Sequence, residues 1–165
     1  MRIEEKGGSF VIVDFDEADA YKIACKIEKD GMDFYKDLRD RSGDEKIKEA
    51  MEFLLKEERG HLKLFEELLS EIEREREDTS EEDDLLDSLD YGVFQPYKNI
   101  EGLEAAVNEP KKALKLGIII EEKSIKFYEA CKGRLTSSKA IQKVTDIIRE
   151  ERGHKQKLEA LYGRD

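Results

Sequence analysis

The sequence has few cysteines, no long apolar run and no cluster of basic residues. Its only two cysteines, Cys25 and Cys131, lie far apart and form no CxxC pair. This excludes a disulfide framework, and we expect both to be packed, reduced thiols. The longest apolar run, Gly117–Ile120, is far too short to span a bilayer, and no signal peptide is recognisable. We therefore expect a soluble, cytoplasmic protein that does not bind membranes.

The charge balance is acidic and narrows the range of partners. The net charge is −11, with 43% charged and 38% hydrophobic residues. Without a basic patch, nucleic acid and anionic membranes are poor partners. This ratio is typical of long helices that have one apolar stripe and solvated outer faces. The length of 165 residues suits one domain over 1–165 with a full four-helix core.

The pentapeptide EERGH occurs twice, at Glu57–His61 and at Glu150–His154, 93 residues apart. The segments before the two copies keep the same offset. Glu28 precedes the first histidine by 33 residues, and Glu121 precedes the second by the same number. Self-similarity at a fixed period indicates repeated structural units. Here we interpret the unit as a helical hairpin that is used twice.

Apolar residues in the second and fourth predicted helices recur at alternating intervals of four and three. This spacing is typical of the core stripe of a helix bundle. Six polar residues occupy positions on the core faces of the four helices. They are Glu28, Glu58, His61, Glu121, Glu151 and His154. The sequence therefore predicts that four carboxylates and two imidazoles point towards one interior.

Such an interior is unfavourable unless cations are bound in it. An unpaired buried carboxylate costs several kcal/mol or changes its protonation state. A glutamate from each of two helices and Glu-x-x-His from each of the other two form the ligand set of carboxylate-bridged di-iron or di-manganese bundles. The i,i+3 spacing places Glu and His side by side. A single such motif is usually a solvated surface feature, but two copies at matched distances favour a metal site.

Two further glutamates, Glu57 and Glu150, precede the histidines by one turn and could compete as ligands. They lie off the core stripe, and we interpret them as groups that flank the ligands.

The predicted helices have recognisable ends. Asp14 or Asp16 caps the first helix, which runs to about Arg41, and the second starts near Asp44 and fades over 71–77. Asn108 caps the third, with Pro110 in its first turn. Gly133 ends that helix, and residues 136–138 open the fourth, which runs to about Tyr162.

Two segments lie outside these helices. Residues 1–13 form an N-terminal extension in which 10–13 could be a short extended piece. Residues 73–108 are a long crossover, with an acidic stretch at 78–90 that we interpret as a solvated linker or a short exposed helix, and an aromatic segment at 91–97 that we expect to be packed. Short links make antiparallel neighbours, and one long link lets the second hairpin start again from the far end.

The stretches IEKDGMDFY and IEEKSIKFY, each followed by EERGH, resemble the iron-binding helices of the rubrerythrin-like branch of the ferritin-like superfamily. The resemblance covers about Asp14 to Tyr162. It implies an all-α, ferritin-like four-helix bundle of two repeated hairpins, and two Fe ions, with Mn or Zn also admitted. The implied metal ligands are Glu28, Glu58, His61, Glu121, Glu151 and His154. Tyr35 matches a tyrosine near the iron pair in that family, and Tyr128 is its symmetric counterpart.

The sequence departs from this family at two points. Rubrerythrins proper carry a rubredoxin domain that holds another iron on four cysteines, and this chain lacks the cysteines to build one. The electron donor is therefore unknown. Ser124 stands where the family places an extra glutamate, which puts in doubt the family's redox-linked change of iron coordination.

The resemblance implies a di-iron oxidoreductase that reduces peroxide or dioxygen. The alternatives are a non-enzymatic iron-binding or iron-handling protein, and a structural bundle whose polar core pairs internally. Tyr35 and Tyr128 are the candidate catalytic residues, which could donate a hydrogen bond to bound peroxide or to a ligand carboxylate; they could also be ordinary core aromatics. Because related bundles often pair through helix faces, a homodimer is a further expectation.

Overall fold

The computed structural model describes residues 2–6, 9–73 and 109–163 of the chain. Four long helices dominate them: α1 (Glu17–Arg41), α2 (Glu45–Glu73), α3 (Pro110–Lys132) and α4 (Ser138–Tyr162). A short antiparallel hairpin of β1 (Arg2–Lys6) and β2 (Ser9–Asp14) precedes them. The predicted four-helix bundle is confirmed. The extended piece expected at 10–13 is part of β2, whereas its partner strand was not predicted.

Helix α1 begins and ends where its sequence predicts. The Asp16 side chain accepts a hydrogen bond from the backbone N–H of Asp19 at 3.0 Å, and the Asp19 side chain accepts one from the backbone N–H of Asp16 at 3.1 Å. This reciprocal capping box satisfies two N–H groups that have no partner within the helix. At the other end Ser42 is extended, and its N–H still bonds to the Leu38 carbonyl. Asp16 rather than Asp14 is therefore the cap.

The start of α3 differs by one residue from the prediction. Glu109 holds the cap position, without a side-chain bond to the helix, and Pro110 is the first helical residue. The predicted cap at Asn108, a residue outside the described ranges, is wrong. Proline is favoured at the first helical position because its missing N–H would have no partner there, which makes the preceding residue the cap. Helix α4 is capped as predicted, with the Ser137 hydroxyl accepting from the Ala140 N–H at 3.4 Å.

The helices pair as two hairpins. Helix α1 packs mainly against α2, and α3 packs mainly against α4, with fewer contacts between the hairpins. The short links 42–44 and 133–137 join the members of each pair. Apart from Glu73, the predicted crossover 73–108 lies outside the described residues, and so do its acidic and aromatic segments. The described core is built from the inward stripes, with Met51 and Leu54 of α2 and Val144 and Ile147 of α4 among its most buried side chains.

Both cysteines are buried, free thiols, as predicted. Burial raises the pKa of Cys25 and of Cys131 to about 12 each. Since the thiolate is the reactive form, both groups are chemically quiet at neutral pH. Among the described helices, none combines the length and the apolar character that a membrane crossing requires.

Candidate metal centre

The six polar residues of the core stripes come together inside the bundle. Helices α1 and α3 each contribute one glutamate, and α2 and α4 each contribute a glutamate and a histidine. No member of this set is more than 4% exposed. They are Glu28, Glu58, His61, Glu121, Glu151 and His154. We call them the carboxylate–histidine centre.

The centre consists of two overlapping groups of four residues. One contains Glu28 and His61, and the other contains Glu121 and His154. Glu58 and Glu151 belong to both groups. Within each group, one potential ligand atom per residue lies within 4.8 Å of all the others. The geometry therefore offers two adjacent four-residue sites that share two carboxylates.

The two shared carboxylates are each directed at both histidines. Glu58 places Oε2 3.2 Å from Nδ1 of His61 and Oε1 3.5 Å from Nδ1 of His154. Glu151 places Oε1 3.2 Å from Nδ1 of His61 and Oε2 2.9 Å from Nδ1 of His154. One oxygen of each carboxylate thus faces each half of the centre, as a bridge between two metal ions requires.

The histidine rings lie nearly parallel, with centroids 5.6 Å apart and an interplanar angle of 23°. Both direct Nδ1 inwards. The outer nitrogen of His61, Nε2, lies 2.8 Å from Oε2 of Glu150. This contact confirms the interpretation of Glu150 as a flanking group. A carboxylate at the outer nitrogen leaves Nδ1 available to bind metal and fixes the plane of the ring.

The other histidine has different neighbours. Within the described residues no hydrogen bond joins Glu57, the counterpart of Glu150, to His154. Phe53 instead presents its ring edge-on to His154, with centroids 6.3 Å apart, and is itself 41% exposed. The ammonium group of Lys157 lies 3.2 Å from the centroid of the Phe53 ring. The two halves of the centre therefore share an inner arrangement and differ just outside it.

Two tyrosines connect the hairpins through the glutamates of α1 and α3. Tyr35 of α1 donates a short hydrogen bond to Oε1 of Glu121 on α3. Tyr128 of α3 donates to Oε1 of Glu28 on α1 at 2.5 Å. Both hydroxyls therefore contact a carboxylate of the opposite repeat. Of the two polar roles predicted for these tyrosines, the structure supports a bond to a carboxylate of the centre.

Burial sets the protonation of the glutamates on α1 and α3. It raises the pKa of Glu28 well above its usual range, and the nearby Glu58 carboxylate adds to that increase. Burial likewise raises the pKa of Glu121, with Glu151 as the next cause. Burial also raises the pKa of the Tyr35 and Tyr128 hydroxyls. In the metal-free protein burial therefore favours the protonated form of each of these groups.

For Glu58 and the two histidines, hydrogen bonds outweigh the effect of burial on the pKa. Burial alone would raise the pKa of Glu58, but hydrogen bonds from His154 and His61 outweigh it and lower that pKa. Burial would lower the pKa of His154, yet hydrogen bonds to Glu151 and Glu58 raise it to about 9. Burial would also lower the pKa of His61, but hydrogen bonds to carboxylates of the centre, first of all to Glu151, outweigh burial and raise that pKa. Without metal, protons take up the negative charge of the centre.

This donor set fits a pair of divalent cations. Four carboxylates carry four negative charges once they are ionised, and two divalent ions supply four positive charges while both imidazoles stay neutral. Carboxylate and imidazole ligands suit iron and manganese and also admit zinc. The nitrogen atoms that face the carboxylates are the atoms that metal ions would bind. The arrangement can therefore exchange its protons for metal without moving its side chains far.

Sequence reasoning located the six residues of the centre but did not identify their partners across the hairpins. The Tyr35–Glu121 and Tyr128–Glu28 bonds and the Glu150–His61 contact all join one repeat to the other. The offset of 93 residues signals that such contacts would come in pairs. It does not show how the hairpins are rotated against each other, which decides which residues meet.

Comparison with known proteins agrees with this geometry. The family model described as Rubrerythrin matches residues 19–162. The structure is similar to the crystal structure of a protein from Thermotoga maritima that has been assigned as a ferritin-like diiron-carboxylate protein. The TM-score is 0.66 and the sequence identity 25%, and the similarity covers 90% of this chain and 95% of that one. No curated protein matches the chain.

Proposed function

Because the chain belongs to the rubrerythrin family, we propose that it holds two iron ions in the carboxylate–histidine centre and reduces hydrogen peroxide or dioxygen there. The observation that carries this proposal is the orientation of Glu58 and Glu151. Each directs one carboxylate oxygen towards each histidine. A single metal ion would not need two shared carboxylates, whereas an adjacent pair does.

Each half of the centre would hold one ion. Glu28 and His61 would bind the first, Glu121 and His154 would bind the second, and the two shared carboxylates would bridge them. When bound, a ferrous pair supplies one electron from each ion and stabilises negative charge that develops on oxygen. Manganese would suit the same ligands, while zinc, which has no redox chemistry, would give a protein that binds metal without turnover.

The surrounding residues would orient the ligands and exclude water. Tyr35 and Tyr128 hold the carboxylates of Glu121 and Glu28 by hydrogen bonds across the bundle. Glu150 holds the ring of His61 through its outer nitrogen. Since all six proposed ligands are buried, the reaction would take place in a site with little bulk water, where electrostatic stabilisation is stronger.

A second candidate function is iron binding without turnover. Two observations favour it. The 165 residues carry two cysteines, so they do not themselves supply a four-cysteine iron site that would pass electrons to the centre. Ser124, which is 4% exposed and lies one turn after Glu121, offers a hydroxyl at the position where the sequence departs from the extra glutamate of the family that it resembles. The two candidates share the site and differ in whether it turns over.

Peroxide consumption separates the two functions. Protein loaded with ferrous iron is mixed with excess hydrogen peroxide and ascorbate as the reductant, and peroxide loss is followed over many equivalents. Sustained loss that disappears in Glu58→Ala and persists in the neighbouring Glu57→Ala supports the oxidoreductase. A single oxidation event supports binding alone. Failure of the protein to retain iron contradicts both.

A further inference from the structure

A line of aromatic rings leads from the carboxylate–histidine centre towards the first turns of α1. The ring of Tyr128 lies against that of Phe65, with centroids 5.3 Å apart and an interplanar angle of 31°. Phe65 in turn lies 6.4 Å from the ring of Tyr21, at 38°. All three side chains are at most 2% exposed. The rings thus form a continuous, water-free contact between two tyrosines.

Both tyrosines have a carboxylate that can take up their hydroxyl proton. Tyr128 donates to Glu28 of the centre at 2.5 Å, and Tyr21 donates to Oε1 of Glu17 at 2.8 Å. Glu17 is half-buried, and its other oxygen accepts from the N–H and the hydroxyl of the exposed Thr136, at 3.2 and 2.8 Å. The line therefore begins at the centre and ends at a carboxylate in contact with the surface.

The second repeat has no equivalent line of rings. The residues 93 positions after Tyr21 and Phe65 are Leu114 and Leu158, both buried. The metal ligands are the same in both halves, so packing of the bundle alone does not require aromatic rings at these positions. This difference is confined to one side of the centre, as expected for a feature with a separate role.

Tyr128 also touches a second group of rings, which ends differently. Phe127 lies 5.9 Å from Tyr128 and Phe15 lies 5.9 Å from Phe127, with Arg134 over the outermost ring. A phenylalanine ring is much harder to oxidise than a phenol and has no proton to release. This branch can pack the hairpin junction but has no residue that could hold an oxidising equivalent.

We propose that Tyr128, Phe65 and Tyr21 form a path that carries single electrons from the surface near Glu17 to the carboxylate–histidine centre. The physiological use of the path rests on the proposed function, because the path would supply an electron when the metal ions cannot. Phe65 serves as the bridge between the two phenols and does not itself become oxidised. Tyr21 is the outer residue, and it is reduced again by a small one-electron reductant of the ascorbate or thiol class.

Each electron and each proton that moves along this path can be accounted for. Reduction of one hydrogen peroxide to two waters takes two electrons and two protons from solvent. When only one electron is available at the metals, Tyr128 gives the second and passes its hydroxyl proton to Glu28. Tyr21 then reduces Tyr128 through Phe65, Tyr128 recovers its proton from Glu28, and the Tyr21 proton passes to Glu17. The external reductant donates one electron to the Tyr21 radical, which takes its proton back from Glu17.

A measurement on full-length protein loaded with zinc, which keeps Glu28 ionised and has no redox chemistry of its own, tests the path directly. Aminotyrosine, which loses an electron more easily than tyrosine, replaces Tyr128 as a trap. A ruthenium photo-oxidant is attached through Ser138→Cys, two residues after Thr136, whose hydroxyl contacts Glu17. After a light pulse, we expect the aminotyrosyl radical to appear in optical absorption and electron paramagnetic resonance. We expect that signal to be lost in Phe65→Leu and in Tyr21→Phe.

The repeat supplies a matched control. Leu158→Phe adds a ring at the equivalent position of the second repeat and should leave the aminotyrosyl signal unchanged. Circular dichroism establishes that each variant is folded, and Tyr21→Phe keeps nearly the same shape as the parent side chain. An unchanged signal in both Phe65→Leu and Tyr21→Phe overturns the proposal. Because zinc neither gives nor takes electrons, this result is independent of whether the centre turns over peroxide, and the zinc content of each variant is measured first.

Discussion

The two hairpins carry the same ligands at the same spacing but surround them differently. Each places a glutamate 33 residues before a histidine, and each directs a tyrosine at the glutamate of the other. Outside this inner set the symmetry ends. His61 contacts Glu150, whereas His154 faces the ring of Phe53. Phe65 of the first repeat corresponds to Leu158 of the second.

This comparison separates two kinds of constraint. A metal pair needs ligand atoms within a narrow range of distances from each other, so both repeats must keep the same helix positions. The residues around the ligands affect their orientation, their solvent access and their electron supply, and these need not be equal on both sides. We therefore expect symmetric variants to behave alike at the ligands and unlike around them.

The largest effect should distinguish the shared carboxylates from the terminal ones. Glu58→Ala and Glu151→Ala remove an oxygen donor from both groups, so we expect each to lose both ions. Glu28→Ala and Glu121→Ala remove a donor from one group only, and each should retain one ion. Metal content per chain after iron loading and desalting measures the difference. Retention of one ion in all four variants would show that no carboxylate is shared, and Glu57→Ala should retain both ions.

Metal affinity should rise steeply with pH. Glu28, Glu121 and His61 have raised pKa values, and that of His154 is raised to about 9. Metal must displace their protons, so each proton released changes the affinity about tenfold per pH unit below the raised pKa. Calorimetry in buffers of different ionisation enthalpy counts these protons. Release of no protons at neutral pH would contradict the assigned protonation.

The stability of the metal-free protein should change with pH in the opposite direction. A group whose folded pKa lies above its unfolded value stabilises the fold below the unfolded pKa, and this contribution is lost as pH rises through the folded one. Glu28, Glu121 and His154 all belong to this class. Glu58 has a lowered pKa, so its contribution to the free energy of unfolding stays constant at any pH above its ordinary pKa. Thermal unfolding between pH 5 and 9 should therefore show a falling midpoint without metal.

Glu150→Gln should weaken metal binding at the half of the centre that contains His61. The substitution replaces only the carboxylate at the outer nitrogen of His61 and leaves the metal ligands unchanged. Loss of such a partner typically costs about 10- to 100-fold in metal affinity. Glu57→Gln is the matched variant of the first repeat and should have little effect. Competition with a chelator measures both. Equal losses in the two variants would show that the Glu150–His61 contact has no special role.

Tyr35→Phe and Tyr128→Phe should destabilise the metal-free protein equally. Each removes the hydroxyl that donates to a buried glutamate of the opposite hairpin. A buried polar group left without its partner costs about 1–3 kcal/mol. Urea unfolding measures the loss for each variant. A marked difference between the two would show that the cross-hairpin bonds are not equivalent.

The smallest effect concerns the glycine inside each EERGH copy. A Cβ added at Gly60 or Gly153 would have no atom within 4 Å, and alanine in an exposed helix interior is more stable than glycine by about 1 kcal/mol. Both substitutions should therefore raise the free energy of unfolding. At Gly117 the added Cβ would lie 3.1 Å from Cδ1 of Leu158, so Gly117→Ala should gain less or lose stability. A gain at Gly117 as large as at Gly60 would contradict this.

The sequence alone determined the helices and the six residues of the centre. A helix repeats every few residues, so its core face can be predicted from local spacing, and the duplicated interval of 33 residues distinguished Glu28 and Glu121 from the many surface glutamates. Even the helix ends followed from local chemistry at Asp16 and Ser137. The cap of α3 was misplaced by one residue because Pro110 begins the helix itself.

Only the tertiary structure decided which residues meet across the hairpins. It placed Glu58 and Glu151 between both histidines, joined Tyr35 to Glu121, and brought Glu150 to the outer nitrogen of His61. These contacts depend on the rotation and axial offset of one hairpin against the other. Those quantities come from the packing of the whole core, and no spacing within a single helix encodes them.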